Sequence, residues 1–240
     1  MNASRFFCEQ LATGELELNA DDSQHASNVL RLQAGDAVEL FDGRGSSASG
    51  ELIEVRKRCV RVEVRAIVEA VGNVADLELF VALPKGDRQK VLVDGLTQLG
   101  VRKLTPLLCE RAVAQPKDNA IARLRKSVIE SCKQCRRNVL MEIGDPVSMK
   151  ELEHWNQPER KQFVAHPYPT SLSSAAAVRS HIHDAQLRGA PVSVAIGPEG
   201  GFTADEVDQF VKSSWSSISL GEQILRIEMA ALKVAACLGT

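Results

Sequence analysis

Two hydrophobic periods divide this chain. Apolar and polar residues alternate with period two over Val60-Arg-Val-Glu-Val-Arg-Ala-Ile67, the mark of a half-buried strand, and Ala34-Gly35-Asp36 and Asp42-Gly43-Arg44-Gly45 mark turns nearby. Short strands and turns fit a small β-barrel, interrupted by a short helix over Asp22–Leu30 with an Asp or Ser cap. Past a boundary near Val71-Gly-Asn-Val-Ala75 the pattern changes to apolar runs, each followed by a turn and a helical segment. Strands are predicted over Leu77–Leu83, Lys103–Leu108, Gln162–Ala165, Val192–Ile196 and Ser217–Leu220. Helices are predicted over Asp87–Leu99, Ala120–Arg137 and Glu228–Leu238, with Thr203-Ala-Asp-Glu206 as a capping box opening another. This β/α alternation predicts a parallel α/β sheet. The domains are therefore 1–72, β-rich, and 73–240, α/β.

The clearest helix places Ile121, Leu124, Val128, Cys132 and Cys135 on one face and Arg123, Lys126, Lys133 and Arg137 on the other. One face packs and the other is free to meet phosphate. Charge supports that reading: the net charge is only −2, yet residues 85–137 hold 13 Lys/Arg against 5 Asp/Glu, while residues 1–75 hold 8 against 12. With 44% apolar and 25% charged residues, no apolar run of spanning length and no signal-peptide core at Met1-Asn-Ala-Ser-Arg-Phe-Phe, a cytoplasmic protein without membrane contact is expected. The six cysteines are expected as reduced thiols. Cys132-Lys-Gln-Cys135 has no second Cys pair to complete a zinc site, so no metal is expected and both thiols are assigned to the apolar side of the helix. Pro158-Glu-Arg-Lys161 and Ala185–Pro191 read as loops of no evident chemistry.

Candidate chemistry concentrates near the C-terminus. Ile196-Gly197-Pro198-Glu199-Gly200-Gly201-Phe202 and Leu220-Gly221-Glu222-Gln223-Ile224-Leu225-Arg226 each follow a β-like run and precede a helix-like one. Glycine lets backbone turn sharply or touch a ligand, so two such loops at neighbouring strand ends suggest one cofactor pocket. Neither has the Lys-Ser/Thr ending of a P-loop or spells G-x-G-x-x-G, so the cofactor is not held mainly by phosphates. His166-Pro167, also at a strand end, is either a third wall or an ordinary loop.

The loops do not stand alone. With Arg5-Phe6-Phe7, His25 followed by Val29-Leu30-Arg31, Phe41-Asp42-Gly43, Lys85-Gly86-Asp87-Arg88, Leu99-Gly100-Val101, Glu110-Arg111, and Glu130 with Gln134 and Arg137, the chain closely resembles the N3-uridine methyltransferases of small-subunit ribosomal RNA. This ribosomal small-subunit methyltransferase E family belongs to the knotted SPOUT class. The resemblance implies a PUA-like β-barrel before a SPOUT-type parallel sheet with a C-terminal deep trefoil knot, a threading that no periodicity would suggest. It also implies S-adenosylmethionine as cofactor, 16S ribosomal RNA or the small ribosomal subunit as partner, and a homodimer.

On that resemblance Ile196, Gly197, Pro198, Glu199, Gly200, Leu220, Gly221, Ile224 and Leu225, with His166, hold the cofactor through backbone groups and apolar walls. Arg111 and Arg226 would hold the uracil carbonyl oxygens as N3 loses its proton, with Glu228 as base or orienting partner. All three equally suit structural ion pairs. RNA contacts are expected at Arg5, His25, Arg31, Lys85, Arg123, Lys126, Lys133 and Arg137, although His25 and Arg31 also suit capping or packing. The chain departs from the family pattern at Asp94-Gly95 and Gln98, at Lys133 and Cys135-Arg136, and at Gln223 and Met229, and its glycine loops are complete. Competing readings are another knotted RNA methyltransferase, acting on ribose 2′-oxygen or a tRNA base, and a non-catalytic RNA-binding or ribosome-assembly factor.

Overall fold

A computed structural model describes residues 3–69, 75–114, 116, 118–153, 155, 157, 159–165 and 191–238. The backbone divides into two units, Met1–Asn73 with Ile129–Leu140, and Val74–Val128 with Met141–Thr240. The stretch 129–140, which the sequence pattern places in the second domain, thus groups with the first.

In the first unit, β1 (Ser4–Phe7), β2 (Gly14–Glu17), β3 (Ala37–Phe41), β4 (Ser46–Arg56) and β5 (Cys59–Glu69) form a sheet in the order β1-β3-β4-β5-β2. The β1/β3 pair is parallel and the other pairs antiparallel. Phe6, Leu40, Leu52, Val60, Val62 and Val64 fill its core. The alternation read from Val60 to Ile67 holds only through Val64. There the register jumps from Gly50 opposite Val64 to Ser49 opposite Ala66, so Arg65 is an extra residue, and Ile67 and Val68 emerge exposed. Helix α1 (Ala20–Gln24) is capped by Asn19, whose side chain accepts from Asp22 N at 2.9 Å. The expected caps Asp22 and Ser23 lie buried inside that turn. A π-helical turn, His25–Val29, extends it.

The second unit comprises β6 (Leu77–Val81), α2 (Arg88–Gln98), β7 (Lys103–Leu108), most of α3 (Asp118–Cys135), β8 (Glu142–Ile143), β9 (Val147–Ser148), α4 (Met149–Glu153), β10 (Lys161–Ala165), β11 (Val192–Ile196), α5 (Ala204–Lys212), β12 (Ser216–Ile218) and α6 (Ile227–Leu238). Among the described residues every strand pair is parallel, in the order β12-β10-β11-β6-β7-β8, with β9 also beside β7. The central strands β6 and β11 are buried at every position, as parallel strands covered on both faces must be. Phe80, Phe202, Phe210 and Trp215 form an aromatic cluster, and α6 lays small residues such as Ala231 and Ala235 against α2, β6 and β11.

One residue from the unremarkable Pro158–Lys161 stretch organises the N-terminal ends of three strands. Arg160, its side chain only 7% exposed, donates to Asp76 Oδ1 at 3.0 Å, Ser193 Oγ at 2.9 Å and Val192 O at 2.9 Å. That clamp leaves the opposite, C-terminal ends to carry the loops.

Candidate cofactor site and nucleic-acid contacts

Strands β11, β10 and β12 lie side by side, so Ile196, Ala165 and Leu220 reach one rim together. The two glycine loops leave from this rim and enclose a cavity of about 250 Å³. Ile196, Gly197, Pro198, Glu199, Gly200, Leu220, Gly221, Ile224 and Leu225 all line it, joined by Ala165, Gly201, Phe202, Gln223, Ile227 and Ala230. His166 lies outside the described residues.

Local chemistry holds each loop open. In the first, Gly201 N donates to Pro198 O at 2.8 Å, and Gly197 sits so close to the Phe202 ring that a Cβ there would lie 2.9 Å from it. Thr203 and Glu206 form the expected capping box, and the Glu206 carboxylate also accepts from Glu110 N at 2.8 Å. Beside it Arg111 Nη1 donates to Gly200 O at 3.0 Å. In the second loop Gly221 takes φ +117°, a conformation that favours glycine, and Lys233 Nζ donates to Leu220 O.

The catalytic candidates separate. Arg111 lines the cavity while tying down the first loop. Glu228, 5% exposed in the first turn of α6, faces Arg88 Nη1 at 3.7 Å. Arg226 is exposed and is not among the cavity-lining residues. Arg88, absent from the sequence-derived site, links the two loops: it pairs with Glu199 at 2.8 Å in the first and with Glu228 just beyond the second. Its signal was the Lys85-Gly86-Asp87-Arg88 motif, in which Lys85 is exposed. Phe202 closes the first glycine-loop motif, whereas Lys233 carried no local signal.

The RNA candidates fall in both units. In the second, Arg123 and Lys126 are exposed on α3. In the first, His25 and Arg31 are exposed, the latter at φ +53°. Arg5 points inward: it donates to Cys132 O at 3.0 Å, pairs with Glu39 at 3.3 Å and stacks on Phe41 at 4.3 Å. Burial therefore lowers its pKa, partly offset by Glu39. Lys133 is engaged by Asp22 at 2.6 Å and Glu130 at 2.9 Å, and its side chain is 15% exposed. Arg137 is half-buried, which lowers its pKa too. The solvated basic face expected over Ala120–Arg137 is thus limited to its first turns. The turn at 129–136 instead borders a cleft of about 390 Å³ with His25, Leu30 and β1. Among the described residues no cluster of three or more His, Cys, Asp or Glu suits a metal, and no helix is long and apolar enough to cross a membrane.

Comparison with known proteins places this geometry in context. The RNA methyltransferase domain family matches residues 72–239, and the RNA methyltransferase PUA domain family matches residues 18–65. Among curated relatives, ribosomal RNA small subunit methyltransferase E of Rickettsia conorii is 29% identical, over 92% of this chain and 88% of its own. The protein of that name from Buchnera aphidicola is 26% identical, over 94% and 90%. A methyltransferase structure from Legionella pneumophila, solved with bound SAM, superposes with a TM-score of 0.86 at 26% identity, covering 99% of this chain and 97% of that one. A ribosomal RNA small subunit methyltransferase E from Neisseria gonorrhoeae, at 23% identity and TM-score 0.87 over 99% and 97%, has the same fold.

Proposed function

The chain belongs to the RNA methyltransferase family, and we propose that it transfers a methyl group from S-adenosylmethionine to N3 of a uridine in 16S ribosomal RNA. The observation carrying this reading is the single cavity formed by both glycine loops at adjacent parallel strand ends. Its lining suits that cofactor: backbone of Gly197, Gly200 and Gly221 offers close polar contacts, while Ile196, Phe202 and Leu225 supply apolar wall. When bound, S-adenosylmethionine supplies an electrophilic methyl on a sulfonium.

The chain's own residues then position and polarise. Uracil N3 must lose its proton to become a good nucleophile, leaving negative charge on the flanking carbonyl oxygens. Arg111, which lines the cavity and donates to Gly200 O, is assigned to stabilise that charge, and the exposed Arg226 is the second candidate. Glu228 faces Arg88 and not the cavity, so the orienting role suits it better than that of base. Arg88 sets the spacing of the loops through Glu199 and Glu228, and geometry of this kind supplies much of the rate of an in-line transfer.

The same reading includes a homodimer, a cytoplasmic location, RNA contacts at His25, Arg31, Lys85, Arg123 and Lys126, and a C-terminal knot. The return of α6 from the sheet-edge strand β12 to β11 and β6 is the path such a knot needs. The test is methyl transfer itself. Small-subunit RNA from cells lacking the enzyme should gain one methyl on incubation with protein and S-adenosylmethionine, and reverse transcription should stop beside the modified uridine. The stop arises because N3 lies on the base-pairing edge, which ribose methylation leaves free. Cofactor binding without incorporation into free RNA or assembled subunits would instead identify a non-catalytic factor.

A further inference from the structure

Cys132 and Cys135 lie three residues apart in the last turns of α3, on the same side of the helix. Cys132 is fully buried, with Sγ 3.8 Å from Val139 O, whereas Cys135 is half-buried. Arg5 donates to Cys132 O at 3.0 Å, its charge acts on the Cys132 sulfur, and the charge of Arg137 acts on both sulfurs. We propose that this pair is a reversible dithiol–disulfide site, with Cys135 as attacking thiol and Cys132 as resolving thiol, and a small-molecule disulfide as oxidant.

The chemistry balances in two exchanges. Cys135 thiolate attacks one sulfur of glutathione disulfide, the S–S bond of the oxidant breaks, and one glutathione thiolate leaves. Cys132 gives its proton to a thiolate and attacks the Cys135 sulfur, closing the protein disulfide and releasing the second glutathione. The order of attack follows from the environment. The hydrogen bond from Cys132 and then the Arg137 N–H and charge hold the Cys135 thiol below its ordinary pKa, while donating that bond and being buried raise Cys132.

Closure has a structural consequence. Side chains three apart on a helix keep Cβ atoms about 5–6 Å apart, whereas a disulfide needs about 3.5–4.5 Å, so the last turn of α3 must tighten. That turn carries Lys133, paired with Asp22, and leads into Arg136, which pairs with Glu39 at φ +64°. Both line the cleft beside His25. Oxidation therefore reshapes the cleft of the first unit, and none of the residues lining the cofactor cavity belongs to that unit.

The test uses the full chain, incubated with glutathione disulfide under native conditions, alkylated and digested with trypsin. Cleavage after Lys126, Lys133 and Arg136 separates the two cysteines, so the expected product is peptide 127–133 joined to peptide 134–136, lost on adding dithiothreitol. Cys132→Ser should leave a stable glutathione adduct on Cys135, and Cys135→Ser neither product. Wild-type protein that accumulates the Cys135 adduct without the joined peptides, or that forms them only in denaturant, would overturn the proposal. In a separate arm, resting on the RNA reading above, the oxidised protein should bind RNA severalfold more weakly with unchanged cofactor affinity. Joined peptides with unchanged RNA binding would keep the redox site and remove its link to the cleft.

Discussion

The contacts of single residues separate positions in the first glycine loop that look interchangeable in sequence. A Cβ on Gly197 would stand 2.9 Å from the Phe202 ring, and that ring is held edge-on against Phe210 at 4.9 Å, with Phe210 in turn 5.3 Å from Trp215. The ring has little room to yield, so Gly197→Ala should cost about 1–3 kcal/mol, the usual penalty of overpacking. At Gly200 the added Cβ would meet only the Arg111 side chain at 3.4 Å, an ordinary contact. Gly200→Ala should therefore melt within a degree or so of the wild type, while Gly197→Ala melts several degrees lower and binds S-adenosylmethionine more weakly. Thermal melting and calorimetry of both variants check this, and equal behaviour would disconnect the Phe202 wall from the site. The loop glycines themselves were legible because each stands between an apolar run and a helical one. The pairing of Arg88 was not, since its partners Glu199 and Glu228 lie far along the chain and no local period encodes it.

At the level of elements, the long strands and helices of the second unit were legible to within a few residues, because buried parallel strands read as continuous apolar runs, whereas the short β8, β9 and α4 were not predicted. What remained hidden was how their ends are fixed. Arg160 and Asp76 sit in segments without apolar pattern, yet together they anchor β6, β10 and β11. Burial pushes the Asp76 carboxyl up, but hydrogen bonds and charge from Arg160 and Arg102 outweigh it and the net pKa is lowered. A lowered folded value means stability that is present above the unfolded carboxylate range, near about 3.9, and is lost as pH falls through the folded value. Because the Asp76 side chain is 38% exposed, solvent screening limits the effect to about 1 kcal/mol or less. Asp76→Asn should accordingly lower the urea midpoint at neutral pH and converge with the wild type in acid. A gap that persists undiminished to the lowest pH would show that the carboxylate charge plays no part.

Across the whole molecule, a helical charge pattern does not by itself define a phosphate-binding face. Lys126 and Lys133 occupy the same expected stripe, but they belong to different units, and only the former is exposed. Lys133 neutralises Asp22, whose side chain is 7% exposed, so reversing it to Glu buries like charges together and should destabilise the protein by about 3–5 kcal/mol. Such a variant would lose RNA binding through unfolding and reveal nothing about contact. Arg123 and Lys126 offer a cleaner probe, because reversing exposed side chains leaves the core of α3, Leu124 and Val128, in place. Phosphate contacts bind by releasing counterions, so each contact removed lowers the slope of log affinity against log salt by about 0.7–0.9. Arg123→Glu with Lys126→Glu should flatten that slope by about 1–2, with unchanged cofactor affinity. Filter binding over a range of salt concentrations measures it directly, and an unaltered slope would move the RNA footprint off α3.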